Sequence, residues 1–514
     1  MAPVDTPPRL RSPARRLRAA PTVAWLLAAA MTVDVVVFGR LTWTNHSNFN
    51  TYGFDTGIFD QGIWLLSRFK SPFVTIRGLQ FFGNHVNLIV VPLVPAYWLG
   101  AGPHFLGLFQ AAALAIGAVP IYLLARERNL TSWVGLALGC SYLLYPALEW
   151  LAWWEFHPDG LAIAPLLWAY LFAVRRRWTP FLIAMAIALS CKEDMAFPVA
   201  VLGLIIAARG RRLVGGGVLA AAVAWFVAST RFVIPWANHG QGPFYNEIFP
   251  QLGATVPAII GTAIRHPSRV LGPALRHSRL SYYWQLLAPV AFVPVLALPV
   301  LLIAAPHTLI NVNSIQPYTY NIRFQYSAVI TVGVFLATVE ACASGQRWRS
   351  AGTVLAAVVL ASSMIANVTW SPSPLSRTRV VGGIWGKSKP HDAVVKQALA
   401  LVPAGEGVSS VFYVVTHMTH RTHVYEFPNP WRQINWGIHG EGAPGTATVQ
   451  WLLVDRTSLN ARDLKLLTQL TAPGGEFESI MDAAGMVVAH RIRPPVHPFG
   501  PPLPEQNEDL APAP

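Results

Sequence analysis

Arginine-rich bursts separate apolar runs long enough to cross a bilayer, and this alternation constrains the chain more than any other feature. The bursts are Arg9, Arg11, Arg15, Arg16 and Arg18; Arg126 and Arg128; Arg175, Arg176 and Arg177; Arg209, Arg211 and Arg212; and Arg347 and Arg349. A hydrocarbon core is spanned by ~20 apolar residues, and loops retained in the cytoplasm carry the Lys/Arg excess. The pattern is therefore that of a polytopic membrane protein. Composition agrees: 12% of the 514 residues are charged and 53% are hydrophobic, against roughly 25% charged in soluble domains. A soluble enzyme is excluded. The net charge of +14 is spread over inter-helix loops rather than one groove, which speaks against nucleic acid as a partner. Cys140, Cys191 and Cys342 provide neither a disulfide framework nor zinc spacing. The abundance of Ala, Gly, Arg and Pro fits a high-GC bacterium.

Charge parity sets the expected topology. The first apolar run, at about 18 residues, is longer than a signal-peptide core and reads as an uncleaved anchor. The Val86–Leu99 stretch carries Pro92 and Pro95 and is too short to cross; it is expected to lie partly embedded at the outer surface. The remaining runs give about eleven spans, near 21–38, 104–125, 131–148, 160–174, 178–190, 195–208, 213–233, 283–297, 299–311, 325–341 and 350–368. The N-terminus is then cytoplasmic and the C-terminus extracytoplasmic, in a multi-pass plasma (inner) membrane protein. Residues 1–20 form a cytoplasmic basic tail, and 21–369 a transmembrane domain with a first outer loop at 39–103. Residues 370–492 form a small α/β extracytoplasmic domain, with β-rich runs at Gly407–Val415 and Val449–Val454 and helical runs at Asp392–Leu401 and Arg462–Leu470. Residues 493–514 are a Pro-rich disordered tail. In the first outer loop Ile58, Phe59, Gly62, Ile63 and Leu66 share one helix face, apart from Asp60 and Gln61. This reads as an interfacial amphipathic helix or, equally, as a loop helix packed on the bundle.

Unusual polar residues gather at the outer ends of these helices. Asp55 and Asp60 lie in FDTGIFDQ, His85 in FGNH, and Glu155, His157 and Asp159 in WWEFHPDG. Lys192, Glu193 and Asp194 lie in CKEDM, His307 in AAPHTLIN, and Arg323 and Tyr326 in NIRFQY. Ionisable groups in apolar surroundings are costly and usually functional, so six segments meeting at one face argue for a single site. Each also has a plainer reading: Asp55 or Asp159 as a helix cap, the 192–194 triplet as a solvated hairpin tip, His307 as a buried structural histidine. No carboxylate or histidine spacing forms a metal motif.

The segments NFNTYGFDTGIFDQGIWLLS, RGLQFFGNHVN, EFHPDGLA, CKEDMAF, APHTLIN and THMTHRTHVYEFPNP resemble, in order and over about residues 45–430, a bacterial membrane family of unknown function, DUF2079. Its layout is similar to that of the GT-C glycosyltransferases. What the resemblance implies is an α-helical GT-C-like membrane domain that moves a sugar from a polyprenyl-phosphate donor to a glycan, lipid or protein acceptor at the extracytoplasmic face. It implies Asp55 as general base, with Asp60 as fallback, and Lys192 and Arg323 as ligands of the donor phosphate. It implies His85, Glu155, His157, Asp159, Glu193, Asp194, His307 and Tyr326 as sugar- or acceptor-binding residues. Trp153 and Trp154 would stack on sugar or belong to an interfacial aromatic belt. His417, His420, His423 and Arg421 would face the same cavity. GT-C enzymes vary in metal dependence, so a divalent cation stays open as cofactor while no residue is assigned to one. A flippase or other transporter of lipid-linked sugars is the main alternative, although no inverted repeat is visible; a non-catalytic envelope-assembly scaffold is the third.

Overall fold

The computed structural model describes residues 21–243, 245–344, 351–377, 388–432, 442 and 444–496. The basic tail 1–20, Arg347, Arg349 and the Pro-rich tail from 497 onward lie outside the described residues.

Among the described residues five helices are long and apolar enough to cross a membrane: Thr22–Ser47, Pro103–Glu127, Arg212–Ala237, Gln325–Ser344 and Ala351–Trp370. Two bent pairs raise the count to seven, against the eleven expected. The difference has identifiable causes. Helix α1 (Pro21–Ser47) is followed by α2 (Ile58–Ser67) in the first loop. Then α3 (Pro103–Ile116) and α4 (Ala118–Glu127) continue one another. Helices α5 (Ser132–Leu143) and α6 (Pro146–Trp153) are bent by 50° where Pro146 cannot donate to the helical ladder. Helices α7 (Ile163–Val174) and α8 (Trp178–Cys191) are short. Further on, α9 (Ala196–Ala208) pairs with α10 (Arg212–Ala228); a side chain at Gly215 would collide with the Gly203 carbonyl, so two glycines set this close approach.

The largest departure falls at residues 283–311. Helix α11 (His277–Leu287) runs into a break of 85°, where Ala291 and Phe292 both take positive φ between Pro289 and Pro294. The expected span 299–311 becomes α12 (Ala305–Asn313), nine residues long, which at 1.5 Å per residue is too short to cross. Helices α13 (Ala328–Ser344) and α14 (Ala351–Trp370) complete the bundle.

One end of the bundle is tied by arginines. Arg128 grips Glu340 through two bonds of 2.8 and 2.6 Å, Tyr170 donates to Glu340 at 2.6 Å, and Arg209 donates to Tyr170 at 2.8 Å. Arg175 joins Glu127 at 3.0 Å.

The C-terminal lobe holds α15 (Pro390–Ala400), β3 (Val408–Ser410), β4 (Val424–Glu426), β5 (Trp451–Asp455), α16 (Ala461–Thr471), β6 (Phe477–Ala483) and β7 (Met486–Arg491). A hairpin of β1 (Phe73–Val74) and β2 (Leu79–Gln80) belongs to the first loop. The lobe sheet has the order β4-β3-β5-β7-β6. Strands β4, β3 and β5 are parallel, and β7 and β6 add antiparallel edges. Strand β3 is buried along its whole length, as a central parallel strand requires.

Helix α2 is not an exposed interfacial helix. Asp60 and Gln61, expected on its outward side, are fully buried. The first-loop hairpin and the lobe cover that side: Gln61 donates to Thr75 Oγ1 at 2.9 Å and to the Arg421 carbonyl of the lobe at 3.3 Å.

Candidate functional site

Asp55 sits in a π-helical turn, Gly53–Gly57, a rare geometry that recurs at functional sites. Its hold comes from elsewhere in the chain. The buried Glu155 carboxylate accepts the backbone N–H groups of Tyr52 at 2.9 Å and Thr56 at 2.8 Å. The Gly53 N–H reaches the Phe412 carbonyl of the lobe at 2.9 Å. Burial pushes the Glu155 carboxyl well above the usual carboxylate range, and the charge of Asp55 pushes it further, against the two amides.

His157 stands between these acids. Its Nδ1 lies 2.9 Å from the Glu155 carbonyl and its Nε2 3.2 Å from Asp55 Oδ1. A carbonyl only accepts, so Nδ1 carries a proton. Burial works against a charged ring, but Asp55 and its hydrogen bond outweigh burial and raise the His157 pKa. Gln110, from α3, shapes this turn: it accepts the His157 N–H at 2.7 Å and donates to the carbonyls of Leu151 at 2.7 Å and Glu155 at 3.0 Å. The Asp55 side chain keeps about one third of its surface exposed, at 34%, while that of His157 keeps 5%.

A second cluster adjoins it at the turn between α8 and α9. Lys192 Nζ lies 3.1 Å from Asp159 Oδ1 and 3.5 Å from Asp194 Oδ2. Burial disfavours its charge, but Asp159, Asp194 and Glu193 together raise its pKa well above normal. The buried Glu193 takes His85 Nδ1 at 2.8 Å, the Val86 N–H at 3.1 Å and the Tyr245 hydroxyl at 2.7 Å. Burial and the charge of Asp194 push its pKa up, but His85, by charge and hydrogen bond, and Lys192 outweigh them and lower it. His307 Nε2 lies 3.7 Å from Asp194 Oδ2, an ion-pair distance beyond hydrogen bonding. Both ring nitrogens of His307 and Asp194 Oδ1 are buried without a hydrogen-bond partner among the described residues. Tyr326 bridges the clusters, within electrostatic reach of Lys192, Asp55 and Asp159.

The structure thus brings Asp55, His85, Glu155, His157, Asp159, Lys192, Glu193, Asp194, His307 and Tyr326 to one end of the bundle. Asp60 and Arg323 stand apart from these contacts. Asp60 is fully buried and binds the Tyr97 hydroxyl at 2.6 Å, the Thr419 hydroxyl, and His420 Nε2 at 3.1 Å. It is a tether to the lobe. Arg323 is exposed, with its guanidinium 5.2 Å over the Trp150 ring. His417 stacks on His46 at 4.1 Å, and His423 lies parallel to Tyr425 at 6.5 Å. Arg421 donates to the carbonyls of Pro403 and Glu406. These four residues therefore bind the lobe to itself and to the first loop. Among the described residues no three His, Cys, Asp or Glu side chains are grouped to hold a metal ion.

Sequence reasoning passed over Gln110, Tyr52, Tyr245 and Tyr318. Gln110 is a fully buried amide inside an apolar helix, and a single amide there breaks no periodicity. The tyrosines gave no signal either, since isolated tyrosines abound in such a chain.

Comparison with solved structures gives a likeness of fold. The crystal structure of ArnT from Cupriavidus metallidurans bound to undecaprenyl phosphate matches with a TM-score of 0.53 at 12% identity, covering 92% of this chain and 98% of that one. The archaeal oligosaccharyltransferase AglB from Archaeoglobus fulgidus, in complex with an inhibitory peptide and a dolichol-phosphate, matches with a TM-score of 0.42 at 11% identity, over 91% and 74% of the two chains. The fold resembles that of the GT-C glycosyltransferases. No curated protein matches the sequence. The sequence pattern of the predicted membrane proteins DUF2079 fits residues 45–488, most of the chain, and the protein belongs to that family.

Proposed function

We propose that this protein is an integral membrane glycosyltransferase that moves a sugar from a polyprenyl-phosphate donor to an acceptor hydroxyl, with Asp55 as the general base. The observation that carries this reading is the Asp55 carboxylate, partly exposed yet held by His157 on a turn that buried Glu155 fixes. Oδ1 faces the imidazole, and Oδ2 has no hydrogen-bond partner among the described residues. A hydroxyl proton passing to Oδ2 would be accepted by a carboxylate already oriented. The likeness to ArnT, whose structure holds undecaprenyl phosphate, supports the choice of donor.

The leaving phosphate needs positive charge where it departs. Arg323 meets that need best, because its guanidinium is exposed and stacked on Trp150. Lys192 is matched by two carboxylates, which favours a role in orienting Asp159 and Asp194 toward sugar hydroxyls. His85, Glu193, His307 and Tyr326 complete that wall. The site is placed on the extracytoplasmic side, because the Arg128, Arg175 and Arg209 ties lie in the loops that the positive-inside rule assigns to the cytoplasm.

The test is release of free polyprenyl phosphate by purified protein from a panel of polyprenyl-phosphate sugars, with membrane glycolipid extract as acceptor. Wild type should release it, and Asp55→Asn should be slower by about 10²–10⁴-fold. Tight donor binding without release by wild type would replace this reading with a lipid-linked sugar transporter.

A further inference from the structure

A row of aromatic rings leads from the lobe to the Asp55 site. Phe412 and Tyr52 have ring centroids 5.4 Å apart, Tyr52 and Trp154 6.3 Å, and Trp154 and Phe324 5.8 Å. Phe324 and Tyr318 follow at 6.0 Å, then Tyr318 and Tyr326 at 5.6 Å. The last ring lies within electrostatic reach of Lys192, Asp55 and Asp159. Four separate stretches of chain supply the row: the lobe, the first loop, the turn after α6, and the loop before α13.

These rings are not core packing. Phe412 keeps 40% of its surface exposed, and Tyr52, Trp154, Phe324, Tyr318 and Tyr326 are all half-buried. Nor do they form an interfacial belt, whose members face lipid around the outside of a bundle; here one member belongs to the lobe, and neighbouring rings meet tilted or edge-on, at 31° to 76° between planes. The indole N–H groups of Trp153 and Trp154 are buried without a hydrogen-bond partner among the described residues, and Trp153 packs on Trp154 at 5.4 Å.

The lobe's geometry points the same way. Phe412 follows β3 by two residues, so it lies at the carboxyl end of a central parallel strand, the edge where α/β sheets place their ligands. That edge abuts the Asp55 turn through the bond from Gly53 to Phe412.

We infer that the row is an elongated binding site for a neutral glycan, one that takes several linked sugars with their apolar faces on the rings and the terminal hydroxyl at Asp55. The inference rests on the transferase reading for its direction, and it names the acceptor as an oligosaccharide chain rather than a lipid headgroup or a protein side chain. Aromatic faces suit it because a pyranose or furanose ring offers an apolar C–H face and an edge of hydroxyls. The tyrosine hydroxyls would meet that edge.

The test measures binding of neutral linear gluco-, manno- and arabino-oligosaccharides, from monosaccharide to hexasaccharide, to the purified full-length protein. For at least one series the affinity should rise by about tenfold or more with chain length. Phe412→Ala should remove the gain of the longest members while leaving the shortest bound as in wild type. Trp154→Ala should weaken every member and Trp154→Phe should restore part of the loss. Trp236→Ala, at an aromatic residue 81% exposed and, among the described residues, making no ring contact with the row, should behave as wild type. Binding independent of length in all three series, or length dependence unchanged in both Phe412→Ala and Trp154→Ala, would overturn the inference. The two readings separate cleanly. Length-dependent binding without polyprenyl-phosphate release from any donor keeps the glycan site and removes the transferase, and release without length dependence does the opposite.

Discussion

Glu155 holds the most consequential pair of hydrogen bonds in the molecule, because both of its oxygens accept amides flanking Asp55. Glutamine at this position offers one oxygen and one NH₂, so a donor would face one of the two amides. Glu155→Gln should lower stability by about 1–3 kcal/mol, read as a lower thermal midpoint, and slow donor release by loosening the base; a variant that keeps wild-type turnover would show that Asp55 holds its place unaided. At this scale the sequence was partly legible. Lys192, Glu193 and Asp194 were visible as three charges between two short apolar helices, although a solvated hairpin tip was the plainer reading; the structure buries Lys192 and Glu193 instead. Gln110 stayed silent because a single amide inside an apolar helix breaks no periodicity, and its partners lie more than 40 positions along the chain. Asp60 misled for a related reason. Its partners Thr419 and His420 are hundreds of residues away, and spacing carries no trace of them.

The helices and turns carry predictions of their own. His417 packs against His46, with His104 beyond at 4.6 Å from His46, Phe49 at 4.4 Å, and Lys396 also facing it electrostatically; Thr51 and Thr416 complete the contact. Among the described residues no carboxylate touches His417; Asp60 reaches the neighbouring His104 and His420 instead. Burial, then His104, lower the His417 pKa from 6.5 to about 4. A depressed histidine leaves the folded state binding fewer protons than the unfolded one, so this contact is whole above pH 6.5 and is lost progressively as pH falls toward 4. The loss amounts to at most roughly 3 kcal/mol. Amide exchange at 412–420 and 48–57 should therefore quicken together over that window, and His417→Phe should flatten the response. In the bundle, Gly215→Leu should force α10 away from α9 and lower the thermal midpoint, whereas Gly216→Leu, which has open space around it, should be tolerated. The bent segment near 291–292 was hidden from sequence reading because neither Ala nor Phe is a breaker. The prolines on both sides leave the turn to them. Strand β4, three residues long, is too short to alternate visibly.

Across the bundle the arginine-burst ion pairs and the mixed cluster of carboxylates, histidines and Lys192 are sorted to different ends. Arginines meet Glu127 and Glu340 at one end, while carboxylates and histidines meet Lys192 at the other. Glu340 is the keystone of the arginine end, since it accepts from Arg128 twice and from Tyr170. Glu340→Gln should cost about 1.5–3 kcal/mol in unfolding measurements and leave donor release at the far end unchanged; a matching loss of release would show that the two ends are coupled. That sorting was the most legible property of the sequence, because it follows from hydropathy and charge alone, whereas the number of crossings depended on bends that leave no such mark. The grip of the lobe on the first loop has a consequence for descent. Gly53, Asp60 and Gln61 hydrogen-bond to residues beyond position 400, and Tyr52 packs on Phe412, so a recombination event that exchanged the C-terminal third alone would separate each from its mate. Lobe and first loop must be inherited together, and hybrids between distant relatives should work only when both pieces come from the same parent.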